Sequence, residues 1–165
     1  MTDFETALHV LVDSEVQFIV VGAYAAFAHG SSQLTHDLDI CYERAPENLR
    51  KLASALAPHH PRLRGIAEHV PFIFDERTLS QGMNFTLHTD MGEIDLLGEL
   101  SGIGQFAELV PDAKTITLHG RSFRIASLDA IIRSKRAAGR AKDRATLPEL
   151  EALKEMLQHA KKKEP

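Results

Sequence analysis

The chain has 165 residues, 44% hydrophobic and 25% charged, with a net charge of −4. That balance suits one folded domain with a genuine core, and it excludes a disordered chain, a fibrous protein and a broad basic surface that coats nucleic acid. The single cysteine, Cys41, excludes an internal disulfide framework and a cysteine-rich zinc site. No apolar run approaches the ~20 residues of a membrane helix, and MTDFETALHV has no basic, apolar leader, so a soluble, cytoplasmic protein without a membrane partner is expected.

Thr2-x-x-Glu5 has the form of a capping box, and Phe4, Ala7, Leu8, Leu11 and Val12 make one apolar stripe, which predicts a helix from about residue 3 to 14. Phe18 to Val21 is a β-branched run ended by Gly22, and Tyr24 to His29 carries alanines at helical spacing. Gly22-Ala23 therefore falls where a strand turns into a helix. Such a turn is a candidate phosphate site, because small residues let an anion approach the free backbone N–H groups of a helix start. Asp37-Leu38-Asp39-Ile40 alternates acid and apolar, which puts both carboxylates on one strand face, a pairing suited to a divalent cation. The strand is expected to end near Tyr42, with Cys41 buried in it.

Pro46 opens a helix with Leu49, Leu52, Ala53 and Leu56 inward, and His59-His60-Pro61 breaks it. Between Arg62 and Gln81 the pattern is weakest: Pro71 to Phe74 reads as a short buried strand or turn, and Asp75 to Leu79 as one helical turn. Asn84 to His88 and Glu93 to Leu97 read as a hairpin through Thr89-Asp90-Met91-Gly92. This places Asp95 inside an apolar strand, where an uncompensated carboxylate is expensive. Ser101 to Gly104 is a loop without the context of a dinucleotide fingerprint. A short helix at Gln105 to Val110 precedes a second hairpin, Lys114 to Leu118 with Arg121 to Ile125.

Ser127 caps a helix to about Ala138 that Gly139 stops, and Thr146-Leu147-Pro148-Glu149 signals the start of the last helix, whose terminal KKKEP should fray. Six basic residues from Arg133 to Arg144 stand against one acid, Asp143; such a run is ordinarily a solvated helix face. The nine histidines show no HExxH or Cys/His spacing, so zinc is not expected. Neither a repeat nor a linker divides the chain.

Val21-Gly22-Ala23, thirteen intervening residues, Asp37-Leu38-Asp39-Ile40 and the later Glu93-Ile94-Asp95-Leu96-Leu97 together resemble the nucleotidyltransferase superfamily. Ser127-Leu128-Asp129 through Lys135, Gly139-Arg140 and Lys142-Asp143 is similar to the C-terminal region of its AbiEii-like branch, the toxin-type enzymes of abortive-infection systems. The resemblance spans roughly residues 15 to 145. It implies an α/β (α+β) fold, a small mixed sheet flanked by helices, in a single domain over residues 1–165 with a core of about 15–125 and a C-terminal helical part of about 126–160.

It further implies a metal-dependent enzyme in which Asp37, Asp39 and Asp95 are catalytic and hold Mg²⁺, or Mn²⁺ in its place. Gly22, Ala23 and Ser31, with Lys135, Arg140 and Lys142, would bind the phosphates of a nucleoside triphosphate such as ATP. The reaction would move a nucleoside monophosphate to a hydroxyl of RNA, protein or a small molecule, and a toxin-type role would bring an antitoxin partner. Two residues depart from the family pattern: Ala23 stands where Gly or Ser is usual, and Gln33 where many relatives of this branch carry Arg. Neither removes a metal ligand. The departures leave open a non-catalytic nucleotide-binding regulatory protein of the same fold, and water as acceptor would make the protein a phosphohydrolase.

Overall fold

The apolar runs pair into a seven-stranded mixed sheet flanked by helices in a computed structural model that describes residues 1–164. In chain order the strands are β1 (Phe18–Val21), β2 (Asp37–Tyr42), β3 (Arg62–Leu63), β4 (Asn84–Thr89), β5 (Gly92–Leu97), β6 (Lys114–Leu118) and β7 (Arg121–Ile125), and they lie in the order β3-β4-β5-β2-β1-β7-β6. The helices are α1 (Phe4–Asp13), α2 (Gly22–Ala28), α3 (Pro46–Leu56), α4 (Glu76–Gln81), α5 (Phe106–Leu109), α6 (Leu128–Ala138) and α7 (Ala141–Lys163).

Burial explains the two kinds of strand. Every residue of β1 is buried, so β1 reads as an unbroken apolar run. β2 instead alternates: Leu38 and Ile40 are fully buried, while Asp37 and Asp39 are partly exposed on the other face. β5 repeats this with buried Ile94 and Leu96 against partly exposed Glu93 and Asp95. β2 runs antiparallel to β1 and parallel to β5, which sets Asp39 beside both Val21 and Asp95. Cys41 is buried, and burial pushes its thiol up to about 12.

Three local readings change. The cap of α1 is Asp3, whose carboxylate accepts from Thr6 N at 3.0 Å. Thr2 is buried instead, its hydroxyl donating to His36 O and accepting from Glu93 N at 3.0 Å, so it ties the N-terminus to the sheet. Pro71 to Phe74 forms no strand, and Ile73 is 71% exposed; the extra strand is β3, antiparallel to β4. The last helix begins at Ala141, ahead of Thr146, where the Asp143 carboxylate accepts from the Arg140 backbone N–H at 3.3 Å and from its Nε at 2.7 Å. Pro148 therefore lies inside α7, at a cost of about 3 kcal/mol in a helix interior, between the buried anchors Asp143 and Leu150. α7 runs through Lys163, and the lysines at 161–163 place cations at the negative C-terminal end of the helix dipole; Pro165 lies outside the described residues. No described helix is long and apolar enough to cross a membrane.

Candidate active site

One cleft of about 660 Å³ collects most of the charged residues singled out in the sequence. The sheet supplies its acidic wall. In the parallel ladder Asp37 lies opposite Glu93 and Asp39 opposite Asp95, so four carboxylates form a block on one face of two adjacent strands. Neighbouring strands are only about 4.8 Å apart, and such a block needs a counter-charge. Arg64 provides one: its guanidinium donates to Glu93 at 2.7 Å, to Asp37 at 3.3 Å and closely to Asp95. Asp39 is the one carboxylate of the four outside this ion-pair network.

Asp39 depends on Gly22. Gly22 follows β1 as the first residue of α2 in a left-handed conformation, φ +66°, and a Cβ there would stand 2.1 Å from Asp39 Oδ2. Glycine is thus required both by the backbone and by the close approach of a carboxylate. Burial and the neighbouring Asp37 charge push the Asp39 carboxyl up to about 6, with Lys142, Arg64 and Lys135 pulling the other way. Ala23 lines the same end of the cleft.

The basic part of the lining comes from α6 and the start of α7, where Lys135, Arg140 and Lys142 line the cleft. Asp143 organises it. Its side chain is fully buried, accepts from Arg140 Nε at 2.7 Å and lies 3.6 Å from Lys135 Nζ. Burial alone would raise the Asp143 carboxyl, but Arg140 and Lys135 outweigh it and hold the group below the usual carboxylate range.

Ser31 is placed differently from the other phosphate candidates. It is buried, and its hydroxyl donates to Glu149 at 3.3 Å and accepts from Gln33 N at 3.2 Å. Glu149 also accepts from Ser32 N at 2.7 Å, Ser32 Oγ at 2.8 Å and Gln33 Nε2 at 3.0 Å, so it clamps the connection between α2 and β2 onto α7. The structure brings Asp37, Asp39, Asp95, Gly22, Ala23, Lys135, Arg140 and Lys142 to one cleft and turns the Ser31 hydroxyl toward the clamp.

The sequence reading missed Glu93, Arg64 and Glu149. Glu93 had a signal, since Glu93-x-Asp95 repeats the spacing of Asp37-x-Asp39; Arg64 and Glu149 had none. An all-oxygen, carboxylate donor set suits a hard divalent cation, and the high carboxyl pKa of Asp39 marks a charge lacking its partner. Among the described residues, however, no three acidic, His or Cys side chains are arranged as a metal cluster; Asp37 and Asp95 are paired with Arg64.

No protein-family model matches the sequence, and no curated protein is significantly similar to it. Solved structures do share its fold. The Thermotoga maritima protein TM1012, named as a nucleotidyltransferase, superposes with a TM-score of 0.55 at 18% identity over 90% of this chain and 94% of its own. The complex of ANT(2″)-Ia with adenylyl-2″-tobramycin gives 0.55 at 13% identity over 94% of both chains. The solution structure of the antibiotic-resistance factor ANT(2″)-Ia gives 0.54 at 13% identity, over 94% of this chain and 89% of its own. The chain therefore has a nucleotidyltransferase-like fold.

Proposed function

We propose that the protein is a metal-dependent nucleotidyltransferase that moves a nucleoside monophosphate from a nucleoside triphosphate to an acceptor hydroxyl. One observation carries the reading: the carboxylates of Asp37, Asp39 and Asp95 and the cations of Lys135, Arg140 and Lys142 line a single cleft, close enough for Lys142 and Lys135 to pull down the Asp39 carboxyl. Asp37, Asp39 and Asp95 would hold Mg²⁺ or Mn²⁺, which when bound neutralises phosphate charge and acidifies the attacking hydroxyl. Lys135, Arg140 and Lys142 bind the triphosphate, and Asp143 fixes Arg140 and Lys135 in place for it. The acceptor oxygen forms a bond to the α-phosphorus while the bond from that phosphorus to the α,β-bridging oxygen breaks, releasing pyrophosphate. The proton of the hydroxyl passes to Asp95.

RNA, protein and small molecules all offer such a hydroxyl; the fold shared with the adenylyl-2″-tobramycin complex supports including small molecules among them. The pattern from Ser127 to Asp143 supports a toxin-type enzyme with an antitoxin partner in the cytoplasm, and the whole chain acts as one domain. Gln33, a neutral residue of the cleft whose amide donates to Glu149 at 3.0 Å, favours a second reading: a regulatory protein that binds nucleotide without turning it over. Pyrophosphate release separates the two. The enzyme releases it with Mg²⁺, a nucleoside triphosphate and cell extract as acceptor source, and Asp37→Ala and Asp39→Ala abolish the release; triphosphate binding with no release supports the regulatory protein.

A further inference from the structure

Arg64 and Glu93 are the charged residues at the acid block that the proposed transfer leaves without a task. Arg64 bonds three carboxylates at once, and two of them, Asp37 and Asp95, are among the residues assigned to the metal. Arg64 takes Asp37 Oδ2 and one oxygen of Asp95, and a guanidinium charge held against these carboxylates repels a divalent cation that would bind the same acids and offsets the negative charge that attracts it. The arginine is also incompletely satisfied: its Nε is buried with no hydrogen-bond partner among the described residues. Leaving a buried donor unpaired is unfavourable, so charge rather than a complete hydrogen-bonding shell keeps the side chain on the acids.

We propose that Arg64 is an internal stand-in cation that competes with the divalent metal for Asp37 and Asp95, with Glu93 retaining the guanidinium when the metal displaces it. The proposal rests on the metal-site reading above. Arg64 N donates to Thr86 O at 2.9 Å, which anchors the pivot to β4, while the following Gly65 has open space where a Cβ would stand. Glu93 lies one strand position before Ile94 on β5, outside the Asp37, Asp39 and Asp95 set, and its 2.7 Å bond gives the displaced side chain a place to stay. Metal loading is then weakened in proportion to the fraction of molecules in which Arg64 covers the acids. In metal-free protein the same contact neutralises charge on three adjacent carboxylates, Asp37, Glu93 and Asp95.

Mn²⁺ binding, followed by the electron paramagnetic resonance signal of the free ion, tests this on wild type, Arg64→Gln and Asp39→Asn, with thermal melts of each. Arg64→Gln should bind Mn²⁺ about tenfold more tightly than wild type, the equivalent of one charge-assisted hydrogen bond removed from the competition. It should also melt lower than wild type without metal and gain more from added Mn²⁺. Equal or weaker Mn²⁺ binding by Arg64→Gln, with binding lost in Asp39→Asn, overturns the competition and leaves the metal site standing. Failure of both wild type and Arg64→Gln to bind Mn²⁺ overturns the metal-site reading and the competition together. Should Arg64→Gln not fold without metal, Arg64→Lys serves: a point charge spans fewer carboxylates, so its affinity should lie above wild type, and affinity equal to wild type overturns the proposal.

Discussion

Substituting Asn for Asp39 should make the metal-free protein more stable at neutral pH while destroying metal binding. Burial and Asp37 raise the Asp39 carboxyl from an ordinary 3.8 to about 6. A raised carboxyl means that the folded state holds its proton more tightly than the unfolded chain. Its contribution to stability is full below pH 4 and is lost as pH rises through 6. A shift of about 2 units corresponds to about 3 kcal/mol, the cost of keeping the ionised group in place above pH 6. Asn has nearly the same shape and carries no charge, and the space beside Gly22 that admits the carboxylate admits the amide. Urea unfolding followed by circular dichroism, in chelator at pH 4.5, 6 and 7.5, measures the difference. Asp39→Asn should gain on wild type as pH rises, by up to about 3 kcal/mol at pH 7.5. A difference that stays constant with pH, or a variant less stable than wild type at pH 7.5, would refute the argument that Asp39 is held at a cost for function.

Gly22→Ala meets both a left-handed backbone and the Asp39 carboxylate 2.1 Å from the new Cβ; it should cost about 2 kcal/mol or more in a thermal melt and remove transferase activity with it. Asp143→Asn strips Arg140 and Lys135 of their buried anion. The loss should be about 2 kcal/mol, below the figure for a fully buried pair because the Arg140 side chain is 62% exposed, and the affinity for triphosphate should fall in a fluorescent-nucleotide titration. Because the Asp143 carboxyl is depressed, its contribution is present above about 3.8 and is lost as pH falls below that value, and the variant should lack this acid-side decline.

The strands of this protein are largely written in local chemistry. A β-branched run buried on both faces gives β1, alternation over Asp37 to Ile40 and over Glu93 to Leu97 gives β2 and β5, and Asp90 to Gly92 and His119-Gly120 mark the hairpin turns. The same alternation suffices to place Asp37 and Asp39 on one strand face, and Asp95 inside an apolar strand of its own. The start of α7 escapes local pattern because Thr146-Leu147-Pro148-Glu149 carries every start signal, whereas the real start depends on burying Asp143 between Arg140 and Lys135. Arg64 sits in a segment with no periodicity and meets partners 27 to 31 positions away, and Glu149 meets Ser32 across 117. Contacts of that range are set by the folded topology, and local pattern carries no trace of them.

The most direct measurement of the central claim is transfer itself: purified protein, Mg²⁺ and each α-labelled nucleoside triphosphate incubated with cellular RNA, protein and small-molecule fractions, comparing wild type with Asp37→Ala/Asp39→Ala. Nucleotidyl transfer predicts label on one fraction in wild type and none in the double variant. Label of equal strength in both proteins, or triphosphate binding with no label on any fraction, would contradict it.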